Sequence, residues 1–179
     1  MRIRTITSAL WITAALISGC RDVPAVQPRT AAAEAQIDGA RYMLAEEPDD
    51  AIGVIEARES ASDGAPLTVV GRIGGTSSPW VDGRAAFTLL DASLVLVAEG
   101  TDAGDAGDGQ ICTGDCCATE RAHATMLVKI LGDNGRVLEV DSRDLLGIAE
   151  NDMVVVRGTA KKDKNGNVTL VADAVFVRR

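Results

Sequence analysis

The sequence predicts a mainly β domain with a short helix, preceded by a helical or tether segment. Three observations carry that expectation. Runs of β-branched residues recur between turn residues from about residue 66 to the end. Met126, Val128 and Ile130 alternate with Thr125, Leu127 and Lys129, the period of a half-buried strand. One apolar stretch in this part, Leu145, Leu146 and Ile148, instead follows capping residues, Asp141 and Ser142, and reads as a short helix.

The elements follow in order. Residues 37–48 allow a short helix, weakened by Gly39 and Pro48. Pro48-Asp49-Asp50 starts a second helix, about 50 to 61, which Asp63-Gly64 ends. Leu67 to Ile73 is the first strand and stops at Gly74-Gly75. Ala85 to Leu90 is the second, closed by Asp91, and Leu94 to Ala98 is a further apolar run. Ala124 to Leu131 is the third strand, with Asp133-Asn134-Gly135 turning it into a hairpin partner, Arg136 to Val140. Met153 to Thr159 and Val168 to Val177 form the closing hairpin. Their turn holds Asn165-Gly166, the pair a type I′ turn prefers because both central residues need positive φ.

The order strand, strand, strand, helix, hairpin resembles the OB-fold, and the resemblance implies a five-stranded Greek-key barrel. The resemblance covers residues 66–179. It rests on Val69-Val70-Gly71-Arg72-Ile73, with a glycine where the barrel bends, and on Phe87-Thr88-Leu89-Leu90-Asp91. It rests also on Asn151 to Gly158 followed by Thr169 to Val177. It departs at about residues 92–123, an insertion far longer than an ordinary strand connection.

Residues 1–19 read as a leader. Arg2 and Arg4 precede an uncharged stretch, Thr5 to Ser18, which is too short to span a bilayer. The run Leu16-Ile17-Ser18-Gly19-Cys20 resembles the lipobox of bacterial lipoproteins, which implies cleavage before Cys20 and lipidation of its thiol. Two or more acyl chains hold a protein stably at a membrane. Arg21 follows where an inner-membrane retention signal would have Asp, so a periplasm-facing anchor in the outer membrane is expected. Residues 20–48 are then a lipid-anchored tether and 49–65 a short helical segment before the barrel. Val54 to Arg58, Gly71 to Gly75, Val81 to Phe87 and the Cys116-Cys117 pair also resemble a recurrent group of small bacterial lipoproteins of unknown function.

Composition narrows the partners. The chain carries a net charge of −8, and losing Arg2 and Arg4 with the leader makes it −10. Such a surface repels nucleic acid, whose affinity comes largely from phosphate neutralisation. Once Trp11 is removed, Tyr42, Trp80, Phe87 and Phe176 are the only aromatic residues. A base-stacking platform or a sugar cleft needs more. The chain shows no Gly-x-Ser-x-Gly run, P-loop or dinucleotide fingerprint. Gly71 to Gly75 follows a strand, but Ser78-Pro79-Trp80 leaves no helix to receive a phosphate, so it reads as a bend and turn.

Chemistry concentrates in the insertion. Cys112, Cys116 and Cys117 are followed by His123, the one histidine. Thiolates with imidazole bind copper or zinc. Outside the cytoplasm two of the cysteines can instead form a disulfide and leave the third free. A thiol redox site is a third reading, though no Cys-x-x-Cys supports it. Asp102, Asp105 and Asp108 lie three apart, not two, and Thr113 stands where a calcium loop from Asp102 would need Glu, so the run reads as a solvated loop. The expected function is a non-enzymatic binding or structural module of the cell envelope. It would be held to the membrane by Cys20 and would face an envelope protein or small ligand. The alternative is metal binding or delivery through the cysteine loop.

Overall fold

A computed structural model describes residues 37–97 and 110–179 of the chain. Cys20, the leader, the tether as far as residue 36 and the run from Asp102 to Asp108 lie outside the described residues. Among the described residues no helix is long and apolar enough to cross a membrane.

Five strands close into a barrel of mixed direction. They are β2 (Pro66–Ile73), β3 (Ala86–Asp91), β6 (Thr125–Ile130), β7 (Met153–Lys162) and β8 (Val168–Arg178). The order is β2-β3-β6-β8-β7, and β7 pairs back onto β2. All pairings are antiparallel except β6 with β8. With α3 (Ser142–Leu146) between the third and fourth barrel strands, this is the OB-type arrangement that the sequence predicts. The alternation of β6 is obeyed: Met126, Val128 and Ile130 are buried and the residues between them are partly exposed.

β2 is long enough to serve two partners along one edge. Its second half, Gly71 to Ile73, pairs with β3. Its first half pairs with a two-residue strand, β1 (Ile52–Gly53), set parallel against Val69 and Val70. The edge of β8 near its end is likewise met by a bridge from Met43 to Val175, and Leu44 N–H donates to the Val175 carbonyl at 2.8 Å. The residues from 37 to 61 therefore belong to the barrel's packing, and the expected tether ends before them. Tyr42 is buried in the core, and α1 (Val54–Ser60) sends Val54 and Ala57 into it. The helix expected over 37–48 is only a 3-10 turn, Gly39–Tyr42. Backbone partners on β8 are available to the next residues, and those outbid a short helix with Gly39 inside it.

The main core joins Phe87, Leu89, Ile73, Val69, Val156 and Leu170 with Leu145 and Leu146 of α3. Among the described residues the buried members of this core lie between Tyr42 and Val175, inside a compact unit running Gln36–Arg179. Truncating a side chain as buried as Phe87 costs about 3–5 kcal/mol. Asp141 caps α3 as expected, its side chain accepting from Arg143 N–H.

Two turns differ from expectation. Residues 136–140 do not form a strand beside β6; a single bridge, Leu131 to Val137, remains, with Leu138 N–H donating to the Ile130 carbonyl and Gly132 N–H to the Arg136 carbonyl. β6 already pairs with β3 on one side and β8 on the other, so it has no free edge for a third ladder. The β7–β8 turn is not type I′. Asp163 and Gly166 close a turn in which only Gly166 has positive φ, +85°, and Asp163 N–H then meets the Asn167 carbonyl. The Asp163 carboxylate accepts from Asn165 N–H, Asn167 N–H and the Asn167 side-chain amide, which keeps Asn165 out of the left-handed region. Within β7 the ladder slips at a bulge between Arg157 and Gly158. A Cβ at Gly158 would stand 2.1 Å from the Val171 carbonyl oxygen, so only glycine fits there.

Candidate functional site

The insertion leaves β3 and returns to β6 at neighbouring points, since Leu90 and Thr125 are register partners. Helix α1 grips both ends. At the outgoing end the Asp91 carboxylate accepts from Ile55 N–H at 2.9 Å, and from Ser93 N–H and hydroxyl at 3.0 and 2.6 Å. At the returning end the Arg58 guanidinium donates to the Thr125 carbonyl at 2.9 Å. Asp91 is buried, which by itself would raise its pKa; the hydrogen bonds from Ile55, Ser93 and Val54 outweigh burial and hold the carboxyl below its ordinary range.

Inside the insertion two three-residue strands, β4 (Val95–Val97) and β5 (Gln110–Cys112), run parallel. Ile111 of β5, Leu90 of β3 and Ala124 form a second small core, against which Leu94, Leu96 and Cys117 pack. Beyond Cys112 the chain reverses through a 3-10 turn, Asp115–Cys117, tied by Cys117 N–H to the Gly114 carbonyl. It then enters α2 (Ala118–Ala124), which runs straight into β6. From α2, Arg121 reaches back and donates to the carbonyls of Cys112 and Gly114, each at 2.7 Å. One guanidinium thus fixes both limbs of the reversal.

The reversal gathers the three thiols. Cys112 and Cys116 Sγ are 3.2 Å apart, Cys116 and Cys117 Sγ 3.8 Å, and all three lie within 4.8 Å of one another. Sulfurs bound to one ion at about 2.3 Å stand roughly 4 Å apart, and these separations bracket that spacing. Cys116 is exposed; Cys112 and Cys117 are half-buried. The Cys112 thiol is held below the usual range by hydrogen bonds from the Cys117 and Cys116 thiols. Cys116 is pushed up to about 11, first because its proton is shared with Cys112 and Cys117 and then because negative charge on those neighbours opposes its own.

His123 is not part of this group. It is exposed on α2, beside a recess lined by Ile55, Arg58, Glu59 and the turn from Asn165 to Asn167. Six residues of helix carry it about 9 Å along the axis and to another face from Cys117. The expected set of three cysteines is therefore brought together, without the histidine. Sequence reasoning missed Asp91, Arg58 and Arg121. An Asp at a strand end two residues before a Ser is a readable local motif. Arg58 bonds to a backbone carbonyl 67 residues along the chain, and Arg121 to carbonyls nine and seven residues back with no side-chain partner in the sequence to mark them, so neither leaves such a trace.

The chain matches no protein-family model, and no curated protein sequence matches it.

Proposed function

We propose that this protein is a lipid-anchored, non-enzymatic binding module of the bacterial envelope, and that its ligand is a soft metal ion, cuprous copper, held by Cys112, Cys116 and Cys117. The observation that carries this reading is the meeting of three sulfurs within 4.8 Å at the protein surface. Three thiolates without a nearby imidazole suit a soft ion that accepts three sulfur ligands; zinc normally takes four ligands. Cys112 is biased toward the thiolate that a metal needs, and Arg121 holds the reversal in shape before any ion arrives. The ion would displace the thiol protons and remove the repulsion that now holds Cys116 in its protonated form. The Cys20 anchor would keep the site at the membrane surface, in the outer membrane by the identity of residue 21.

The test is titration of residues 21–179 with cuprous ion against a competing chelator, under reducing conditions. One ion per chain is expected, with the ultraviolet absorption of a copper–thiolate bond and loss of thiol reactivity until the ion is removed. Cys116→Ser should abolish tight binding. No uptake, or uptake that survives Cys116→Ser, would end the reading.

A second reading has one specific support, the 3.2 Å separation of Cys112 and Cys116 Sγ. In an oxidising compartment these two can join as a disulfide and leave Cys117 as a free thiol. Protein taken from the periplasm would then be two mass units light, carry one thiol and bind no metal.

A further inference from the structure

The outer face of the barrel carries an open groove of about 850 Å³ between β6, β8, the β7–β8 turn and the loop before β3. It shares no residue with the thiol cluster. Its floor is aliphatic: Ala86, Leu127, Leu131, Val137 and Val171, most of them half-buried with nothing laid over them among the described residues. Leu127 and Val171 stand at outward positions of β6 and β8, where a solvated strand normally carries polar side chains.

The rim is basic in an acidic protein. Three of the chain's four lysines, Lys129, Lys161 and Lys162, line the groove, together with Arg136. Among the described residues none of these four cations is within salt-bridge distance of a carboxylate. Arg84 also lines it and is paired with Glu139. Two carboxylates sit on the rim and both are engaged: Asp163 in its own turn, and Asp63 accepting from Lys162 N–H.

We infer that this groove binds a single-chain anionic amphiphile, the chain lying on the aliphatic floor and the head among Lys129, Lys161, Lys162 and Arg136. Charge complementarity selects the head, because clustering cations that have no carboxylate partner among the described residues, Lys162 donating only to the Ala61 carbonyl, on a chain of net charge −8 raises the local concentration of anions. The floor selects the tail. Among the described residues no aromatic side chain lines the groove, so they offer no stacking surface for a base or a sugar. It is also a sheet face whose strands are paired on both sides, so an extended peptide finds no backbone edge to join.

The experiment is calorimetric titration of residues 21–179 with decanoate below its micelle concentration, beside acetate and decyltrimethylammonium. Saturable one-to-one binding of decanoate is expected, with acetate and the cation at least about tenfold weaker. Lys129→Glu and Leu127→Ser, both at outward positions, should each weaken decanoate about tenfold, as loss of a charge-assisted contact or of apolar contact requires, while the circular dichroism is unchanged. Equal binding of the cationic amphiphile, equal binding of acetate, variants indistinguishable from wild type, or no saturable binding would each overturn the inference. So would co-sedimentation with phosphatidylglycerol vesicles in the absence of decanoate binding, since that assigns the cations to a bilayer surface.

Discussion

Asp91 on β3 caps a helix that begins 37 residues earlier in the chain: its carboxylate accepts from Ile55 N–H at 2.9 Å, where the local cap position is Gly53 and has no side chain to offer. Asp91→Ala strips this cap and the Ser93 bonds together and leaves part-buried N–H groups unpaired. The expected loss is about 1–3 kcal/mol, read by urea unfolding. The folded carboxyl titrates below its ordinary value, so its contribution is complete above the ordinary range and disappears as pH falls through the folded value. The acid limb of stability against pH should therefore be shallower in the Ala variant. An unchanged limb would remove Asp91 from this role.

Asp141 offers a second, separable acid effect. Its carboxyl is brought to about 2 by the Arg143 side chain first and by the Arg143 and Gly83 backbone N–H groups as well, against some burial. The stability it provides is full above the unfolded value, near 3.8, and is lost between there and about pH 2. Asp141→Ala should cost about 1 kcal/mol at neutral pH, the usual magnitude for a lost N-cap. That difference should vanish in strong acid. Hydrogen exchange at Leu145, whose N–H donates to the Asp141 carbonyl, localises the effect to α3.

The bulge in β7 makes a steric prediction. Gly158→Ala drives a methyl group onto the Val171 carbonyl, which is backbone and cannot swing aside. The cost should be about 1–3 kcal/mol, by analogy with overpacked cores. Faster amide exchange in the β7–β8 ladder would accompany it. A thermally neutral variant would mean that the bulge relaxes freely.

Thiol reactivity should run against exposure. Cys116 is the most exposed of the three, yet its thiol is pushed up to about 11, whereas Cys112 is half-buried and lowered. Because the thiolate is the nucleophile, iodoacetamide near neutral pH should modify Cys112 before Cys116 in the reduced, metal-free protein. Peptide mass mapping of brief reactions reads the order. Labelling that follows accessibility would show that the thiols do not share protons as described.

Strands were legible where one face of a residue run reports the core directly. Met126, Val128 and Ile130 could point inward in only one register, and the β-branched content of Val154 to Val156 marked a strand buried on both sides. The N-terminal elements were obscure because their partners lie far along the chain. Met43 bridges to Val175, and Gly39 to Tyr42 shows no pattern that foretells it. The turn at Asn165-Gly166 misled because Asp163, two residues earlier, satisfies three donors in another geometry. At the site, three cysteines within six residues are bound to be neighbours, so the group was visible. The exclusion of His123 depends on α2, whose short run, Ala118 to Ala124, carries little periodic signal.

The adjacency of Leu90 and Thr125 has a consequence for how this molecule can change. A detour that starts and finishes at paired positions places almost no constraint on its own length, since closing a longer loop costs only slightly more free energy. The detour also packs on its own small core around Ile111, apart from the one inside the barrel. Mutation can therefore rewrite the thiol-bearing segment, or replace it with another, as an interchangeable cassette, while Asp91 and Arg58 keep the socket that receives it.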